Sequence, residues 1–234
     1  MNSKQLFLLI AFFLSLEVFG QNDVGFKANI ISSFIPFKDV SRYQLAWKDQ
    51  KYMISPSGQV GMFYCHKFKN HSFLETDLLF NQVESRTSYT PNMQYDQGSN
   101  VNYQIQMLNN GYFEENRMHL SYLSLPVYYG YNAGRCSFLL GFQTSLKLGT
   151  SYTIISHNSG TTSSNGSEVL TNIDNFDYGP KIGFTWRAST YLDLEGTYYY
   201  GINNITHDPF NAIYQEWRIR QISIGIRYIL TRNK

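Results

Sequence analysis

Five histidines and two cysteines carry the most reactive side chains of this chain, and two short stretches set a histidine beside partners suited to acyl transfer. His119 lies near Ser121 and Glu114, and His207 is followed directly by Asp208. A hydrolase or acyltransferase needs such a set: a base takes the hydroxyl proton and a carboxylate orients the base. Histidine beside a carboxylate in a polar segment also arises without any catalysis, so neither stretch assigns a reaction by itself. His66, His71, His119, His157 and His207 show no metal-ligand spacing. The chain carries no glycine-rich phosphate cradle and no acidic calcium loop. No catalytic, metal or cofactor-binding residue is therefore assigned, and no cofactor is expected.

The elements that would hold such residues begin after a leader. Lys4 precedes an apolar run from Leu6 to Leu16, and Val18-Phe19-Gly20 closes it with a small residue. A core of about a dozen apolar residues is short of the ~20 that span a bilayer as a helix, and it reads as a cleaved signal peptide. The expected division is residues 1–20 as signal peptide and residues 21–234 as one outer-membrane β-barrel domain. Export to a bacterial outer membrane is the expected localisation.

Aromatic residues make up 17% of the chain, with 19 Tyr and 17 Phe, while charged residues are only 15%. That composition favours strands, and no long amphipathic helix pattern is present. The net charge of +2 gives no electrostatic footprint for nucleic acid. Eight strands are legible: Val24–Phe34, Ser57–His66, Ser72–Ser85, His119–Tyr131, Arg135–Leu148, Tyr178–Ala188, Tyr191–Ile202 and Trp217–Leu230. Tight turns near Lys69-Asn70, Asn132-Ala133-Gly134 and Ser189-Thr190 join three pairs of them. Long connections join the rest: Pro36–Pro56, Arg86–Met118, Gly149–Asp177 and Asn203–Glu216. Short turns alternating with long loops are what an up-and-down antiparallel transmembrane β-barrel shows, with periplasmic turns and extracellular loops. The expected count is eight strands, or ten if Asn100–Tyr112 contributes a hairpin of its own.

Side-chain parity agrees. Ile222, Ile224, Ile226 and Tyr228 share one face of the last strand, and Ser223, Gly225 and Arg227 the other. Phe138, Leu140, Phe142, Leu146 and Leu148 likewise oppose Ser137, Gly141, Gln143, Ser145 and Lys147. The polar faces carry Lys27, Glu75, Asp77, Lys181, Arg187, Asp193, Glu195 and Arg227, charges able to pair in an eight-stranded lumen that side chains fill. Aromatic girdles are expected at both rims: Tyr64, Tyr129, Tyr131, Trp186 and Tyr228 on the periplasmic side, and Tyr152, Tyr178, Tyr198 and Tyr200 opposite. A soluble lipocalin-like barrel would reverse the sense of this alternation. Cys65 and Cys136 fall on opposite faces of separate strands, so two free thiols are expected rather than a disulfide. Pro126 lies inside the fourth strand, where a bulge or a strand break would accommodate its missing N–H.

The stretch Tyr122-Leu123-Ser124-Leu125-Pro126-Val127, followed by Gly134 and the apolar strand Phe138–Leu148, resembles the PorT-like outer membrane β-barrel family. The unit Gly179–Leu194 and the strand Ile222–Tyr228 are similar too. The resemblance implies an integral outer-membrane barrel, with some members tied to protein secretion, and it brings no functional residues. The last strand departs from the usual pattern, ending in Tyr228-Ile229-Leu230 and a basic tail without a terminal Phe.

The expected partners are outer-membrane lipid and, through the extracellular loops, other envelope proteins. Ser156–Ser167 is almost wholly Ser, Thr, Asn and Gly, and reads as a mobile loop. Tyr89, Tyr95, Tyr103 and Tyr112 stand among Asn and Gln in Arg86–Met118, a composition suited to contact surfaces. Two function classes follow: a non-enzymatic barrel that displays loops or joins an envelope or secretion assembly, and an integral enzyme acting on lipid or surface polymer.

Overall fold

The computed structural model describes residues 21–34, 37–38, 47–53, 55–68, 70–91, 113–158, 161–168, 174–205 and 216–232. The leader, residues 92–112, and His207 with Asp208 lie outside these. Among the described residues twelve strands follow in chain order: β1 (Gln21–Phe34), β2 (Phe37–Lys38), β3 (Trp47–Met53), β4 (Ser55–Lys67), β5 (Ser72–Pro91) and β6 (Phe113–Ala133). The remainder are β7 (Cys136–Asn158), β8 (Thr161–Glu168), β9 (Phe176–Arg187), β10 (Leu192–Tyr200), β11 (Glu216–Trp217) and β12 (Arg220–Arg232).

Eight of them close a barrel in which each strand pairs antiparallel with the next: β1, β4, β5, β6, β7, β9, β10 and β12, with β12 returning to β1. Closure leaves no unpaired edge in the lipid, the condition for a sheet to cross a bilayer. Lipid-facing positions are aliphatic or aromatic, among them Ile30 and Ile224 at 69% exposure. From Ile222 to Leu230 the apolar band of β12 climbs roughly 20 Å along the barrel axis, given a rise of ~3.3 Å per residue and a tilt of ~40°. The alternation therefore has the membrane sense, and a soluble barrel with an apolar interior face is ruled out.

Three tight connections stand at one end. Between β4 and β5, His71 takes a left-handed conformation (φ 66°) and the Asn70 side chain accepts a bond from the Ser72 N–H. Between β6 and β7, Gly134 takes φ 70°, a conformation that glycine adopts without strain. Ser189 to Tyr191 turn β9 into β10.

At the other end the strands run further than the sequence pattern indicates. β5 reaches Pro91 and β6 starts at Phe113, and the two stay paired as far as Tyr89↔Glu114. β3 prolongs the line of β4 along β5, from Met53↔Arg86 to Trp47↔Pro91. Of Ser156–Ser167, read above as mobile loop, Ser156–Asn158 belong to β7 and Thr161–Ser167 to strand β8, which pairs with Tyr152–Asn158 of β7. Beyond the membrane, β3, β5, β6, β7 and β8 thus form a five-stranded antiparallel sheet in that order. On the opposite wall β10 stops at Tyr200, while the β1–β12 line resumes in the register of Phe34↔Arg220 as the short pair β2–β11, Phe37↔Trp217 and Lys38↔Glu216.

Two irregularities matter. Ser121↔Gly149 and Tyr122↔Lys147 leave Leu148 unpaired, a bulge that reverses the faces of β7 above it. Tyr152 therefore turns into the lumen instead of joining the outer girdle, which corrects its expected place. Pro126 brings neither bulge nor break. β6 is continuous, Pro126 keeps its β7 partner Gln143, and only the β5 ladder lapses, between Thr76↔Val127 and Leu79↔Ser124. Thr76 Oγ1 donates to the Pro126 carbonyl at 3.3 Å inside that gap.

Candidate functional site

The lumen is packed in three layers. Nearest the tight turns, Phe63, Cys65, Phe73, Tyr128, Leu139 and Ile229 form a buried apolar cluster. Glycine makes room for its rings: the Phe73 ring lies over its cross-strand partner Gly130, where a Cβ would collide with it, and Phe63 covers Gly25 in the same way. These apolar residues share the inward parity of the charges, a signal that a reading of the inner face as purely polar passes over.

The middle layer is ionic. Lys27 Nζ donates to Glu75 Oε1, Asp77 Oδ2 and Glu195 Oε2, each at 2.8 Å. Arg227 pairs with Glu75 and stands 3.7 Å from Glu195. Its guanidinium also lies over the Phe63 ring, 4.4 Å from the centroid, which ties this layer to the apolar one below. A chain of amides and hydroxyls continues around the wall. Asn29 donates to Gln59 (2.7 Å), Gln59 to Asn81 (2.6 Å) and Asn81 to Ser124 (2.7 Å). Ser124 meets Ser145 at 2.8 Å, Gln143 donates to Ser145 at 3.0 Å, and Lys181 donates to Gln143 at 2.9 Å. All eight barrel strands contribute a side chain to this layer. Three carboxylates facing three cations leave it balanced, as burial demands. Most of the charges expected inside meet here; Asp193 sits lower, beside Arg187 and Arg227 across the strands.

A second apolar cluster closes the upper lumen. Val83, Met118, Leu120, Tyr122, Tyr199 and Ile219 pack there with Ile205, which is 0% exposed, and with Tyr152. Ile205 comes from the connection after β10. Asp174 N–H donates to the Ile205 carbonyl at 2.8 Å, and Asn203 Nδ2 donates to the Phe176 carbonyl at 2.9 Å. Tyr199 donates its hydroxyl proton to Asp177 Oδ2 at 2.8 Å.

Outside the barrel, above the apolar band, two kinds of charged rim appear. On the tall wall Arg86 pairs with Glu84, and Arg117 Nε with Glu115 at 2.7 Å. Burial alone would raise the pKa of Glu84, but the Arg86 hydrogen bond and charge outweigh it and hold the carboxyl below its ordinary value. The same balance, led by the bond to Glu115, raises that of Arg117. On the opposite wall the neighbouring Arg218 and Arg220 hold the pKa of the Tyr200 phenol below its ordinary value.

The residues singled out for chemistry do not converge on a pocket. His119 is half-exposed on the outer wall, with Nδ1 3.7 Å from Glu84. His66 Nδ1 lies 2.8 Å from Asn22 Oδ1, and the His71 ring packs edge-on to Tyr131, both beside the tight turn. Cys65 is buried in the lower cluster while Cys136 lies on the outer parity of β7, and both are free thiols.

Comparison with known proteins adds a family. The outer membrane protein beta-barrel domain matches residues 19–207. Among solved structures, Neisserial surface protein A is similar at 13% identity over 88% of this chain and 96% of its own, with a TM-score of 0.40. Ail, the attachment invasion locus protein of Yersinia pestis, is similar at 9% identity over 90% and 99%, with a TM-score of 0.41. OprG from Pseudomonas aeruginosa follows at 9% identity over 90% and 96%, with a TM-score of 0.37. No curated protein sequence matches the chain.

Proposed function

Since this chain belongs to the outer membrane protein beta-barrel domain family, we propose that it is a sealed, non-conducting and non-enzymatic barrel whose role is carried by the sheet it raises above the membrane. The observation that carries this reading is the contrast between a lumen packed in three successive layers and a wall whose strands keep pairing far beyond the lipid. Strands extended into water at the cost of backbone order form a rigid platform, and rigid platforms present contact residues well. Other envelope proteins are the partners this surface would meet, and the PorT-like resemblance favours a component of an envelope or secretion assembly. Catalysis has less support, because His119 engages Glu84 on the outer wall instead of a hydroxyl nucleophile. Residues 1–20 act in this reading as the leader that exports residues 21–234.

Planar-bilayer recording tests the sealed lumen. The refolded protein, confirmed by its heat-dependent gel mobility, is expected to insert without steady conductance at 100 mV. A stable open level in the folded protein would overturn the reading.

A further inference from the structure

The chain of amides and hydroxyls in the middle layer converges on one serine pair from both sides, and charge fixes its directions. Lys181 can only donate, so Gln143 accepts from it with Oε1 and turns Nε2 on Ser145. Glu195 accepts, so Asn29 presents Nδ2 to it at 3.3 Å and uses the other hydrogen of that nitrogen for Gln59. Gln59 then donates to Asn81, and Asn81 to Ser124. Ser124 and Ser145 thus each accept from an amide, and the contact between them, at 2.8 Å, takes only one of their two hydroxyl protons. The other proton is left without an acceptor, although the two serines are 0% and 4% exposed. Buried donors are rarely left so.

The matching acceptor stands one strand away. Asp177 of β9 is the cross-strand partner of Ser145, as Ser145 is of Ser124, and all three are buried on the lumen side. Side chains directly opposed in this way have Cβ atoms ~5 Å apart. Asp177 is 2% exposed; its Oδ2 accepts from Tyr199, while Oδ1 has no partner among the described residues. Tyr122 is the next inward residue of β6 above Ser124 and packs with Tyr199 in the upper cluster. Its buried hydroxyl has no partner there either.

We infer that one buried water joins these groups, accepting from Ser145 and Tyr122 and donating to Asp177 Oδ1, with Ser124 donating to Ser145. Two donors and one acceptor are the set that holds an internal water. Sodium would suit a buried carboxylate, but it cannot accept the two hydroxyl protons. Through this water the Asp177–Tyr199 pair beneath the cap is bonded to the chain anchored on Lys181 and Asn29. Cap and ionic layer become one hydrogen-bonded unit, whatever the raised sheet contacts.

A crystal structure of the refolded protein, grown with choline as the sole monovalent cation, tests the site directly. A density peak is expected about 2.8 Å from both Ser145 Oγ and Asp177 Oδ1, unchanged when sodium replaces choline. A direct Ser145–Asp177 hydrogen bond or no peak would overturn the water, and a peak that needs sodium would make it an ion site. Amide exchange tests the link in the folded barrel, read at the Asp174 N–H that holds the Ile205 carbonyl in the cap. Ser145→Ala and Asp177→Asn are each expected to speed that exchange about tenfold, the effect of one hydrogen bond to a charged group. Together they should act no more strongly than either alone, because both cut the same link. Factors that multiply, or no change in either variant, would sink the shared water. Heat-dependent gel mobility verifies folding, and if Asp177→Asn does not fold, Tyr122→Phe takes its place in the cycle with the same expectation.

Discussion

Strands β5, β6 and β7 each pass through two environments, and their side chains change character at one level. Below it, Leu74, Leu78 and Phe80 on β5 and Leu123, Leu125 and Val127 on β6 face lipid, while Glu75, Asp77, Asn81 and Ser124 face the lumen. Above it, Gln82 and Glu84 on β5 and His119 and Arg117 on β6 take the outward places. The β7 bulge at Leu148 sits at the same height. Below, lipid tolerates only apolar contact and every backbone group must be paired, so the alternation is compulsory. Above, water accepts either face, and the ladder of backbone hydrogen bonds is what keeps the sheet together. One set of strands thus obeys two rules, and each half should respond to a different kind of damage.

The spanning half should be most sensitive to charge. Lys27 pairs with Glu75, Asp77 and Glu195 at once, with its side chain at 0% exposure. Lys27→Met keeps the length of the side chain but leaves Glu75 and Glu195 with Arg227 and takes from Asp77 its Lys27 ion pair. Removing one partner of a buried ion pair costs ~3–5 kcal/mol. The expected outcome is loss of the heat-dependent gel mobility after refolding into detergent or lipid. Full retention of the folded band would show that the middle layer is not what holds the lumen closed.

The surface half should be sensitive to backbone pairing instead. Ser88 lies between Lys51 of β3 and Glu115 of β6, at the centre of the raised sheet. Ser88→Pro removes a ladder donor there and fixes φ. Amide protection is expected to fall across β3 and the outer parts of β5 and β6, while the folded band in the gel assay stays. If the barrel is lost as well, the two halves are one cooperative unit and the division drawn here is wrong.

The same two rules decide what could be read in the sequence. β12 and the lower part of β7 were legible because Ile222-Ser223-Ile224-Gly225-Ile226 and Phe138 to Leu146 alternate as lipid requires. β8 was not, since Thr-Thr-Ser-Ser-Asn-Gly-Ser-Glu has no period, and its strand state is visible only in its pairing with β7. Tyr152 was misplaced because one unpaired residue reverses every face beyond it, and no residue type announces that. The ionic layer was legible as a set of inward charges, yet its partners depend on register, which brings Lys27 to Glu195 across 168 residues. Arg220 was passed over for a plainer reason: it stands in the strand Trp217–Leu230 without any sign of its neighbours, and only the cross-strand row sets it between Phe34 and Tyr200.

The smallest effect belongs at the boundary between the halves, where Glu84 meets Arg86 and His119. The Arg86 bond depresses the folded pKa of Glu84 against the opposing pull of burial. A depressed carboxyl contributes stability that is complete above its ordinary pKa of ~4.3 and is lost as pH falls through the lower folded value. Partly exposed pairs of this kind are worth only ~0.2–1 kcal/mol, because solvent screens them. Glu84→Gln should therefore lower amide protection slightly in β5 and β6 just above the apolar band at pH 7. Wild type and variant should converge only once the pH has fallen through the lowered folded value, where the wild-type carboxyl also carries its proton. The spanning strands should show no difference at either pH. A Glu84→Gln effect of equal size in acid would mean that the side chain acts by packing, and the boundary would then be held by shape and not by charge.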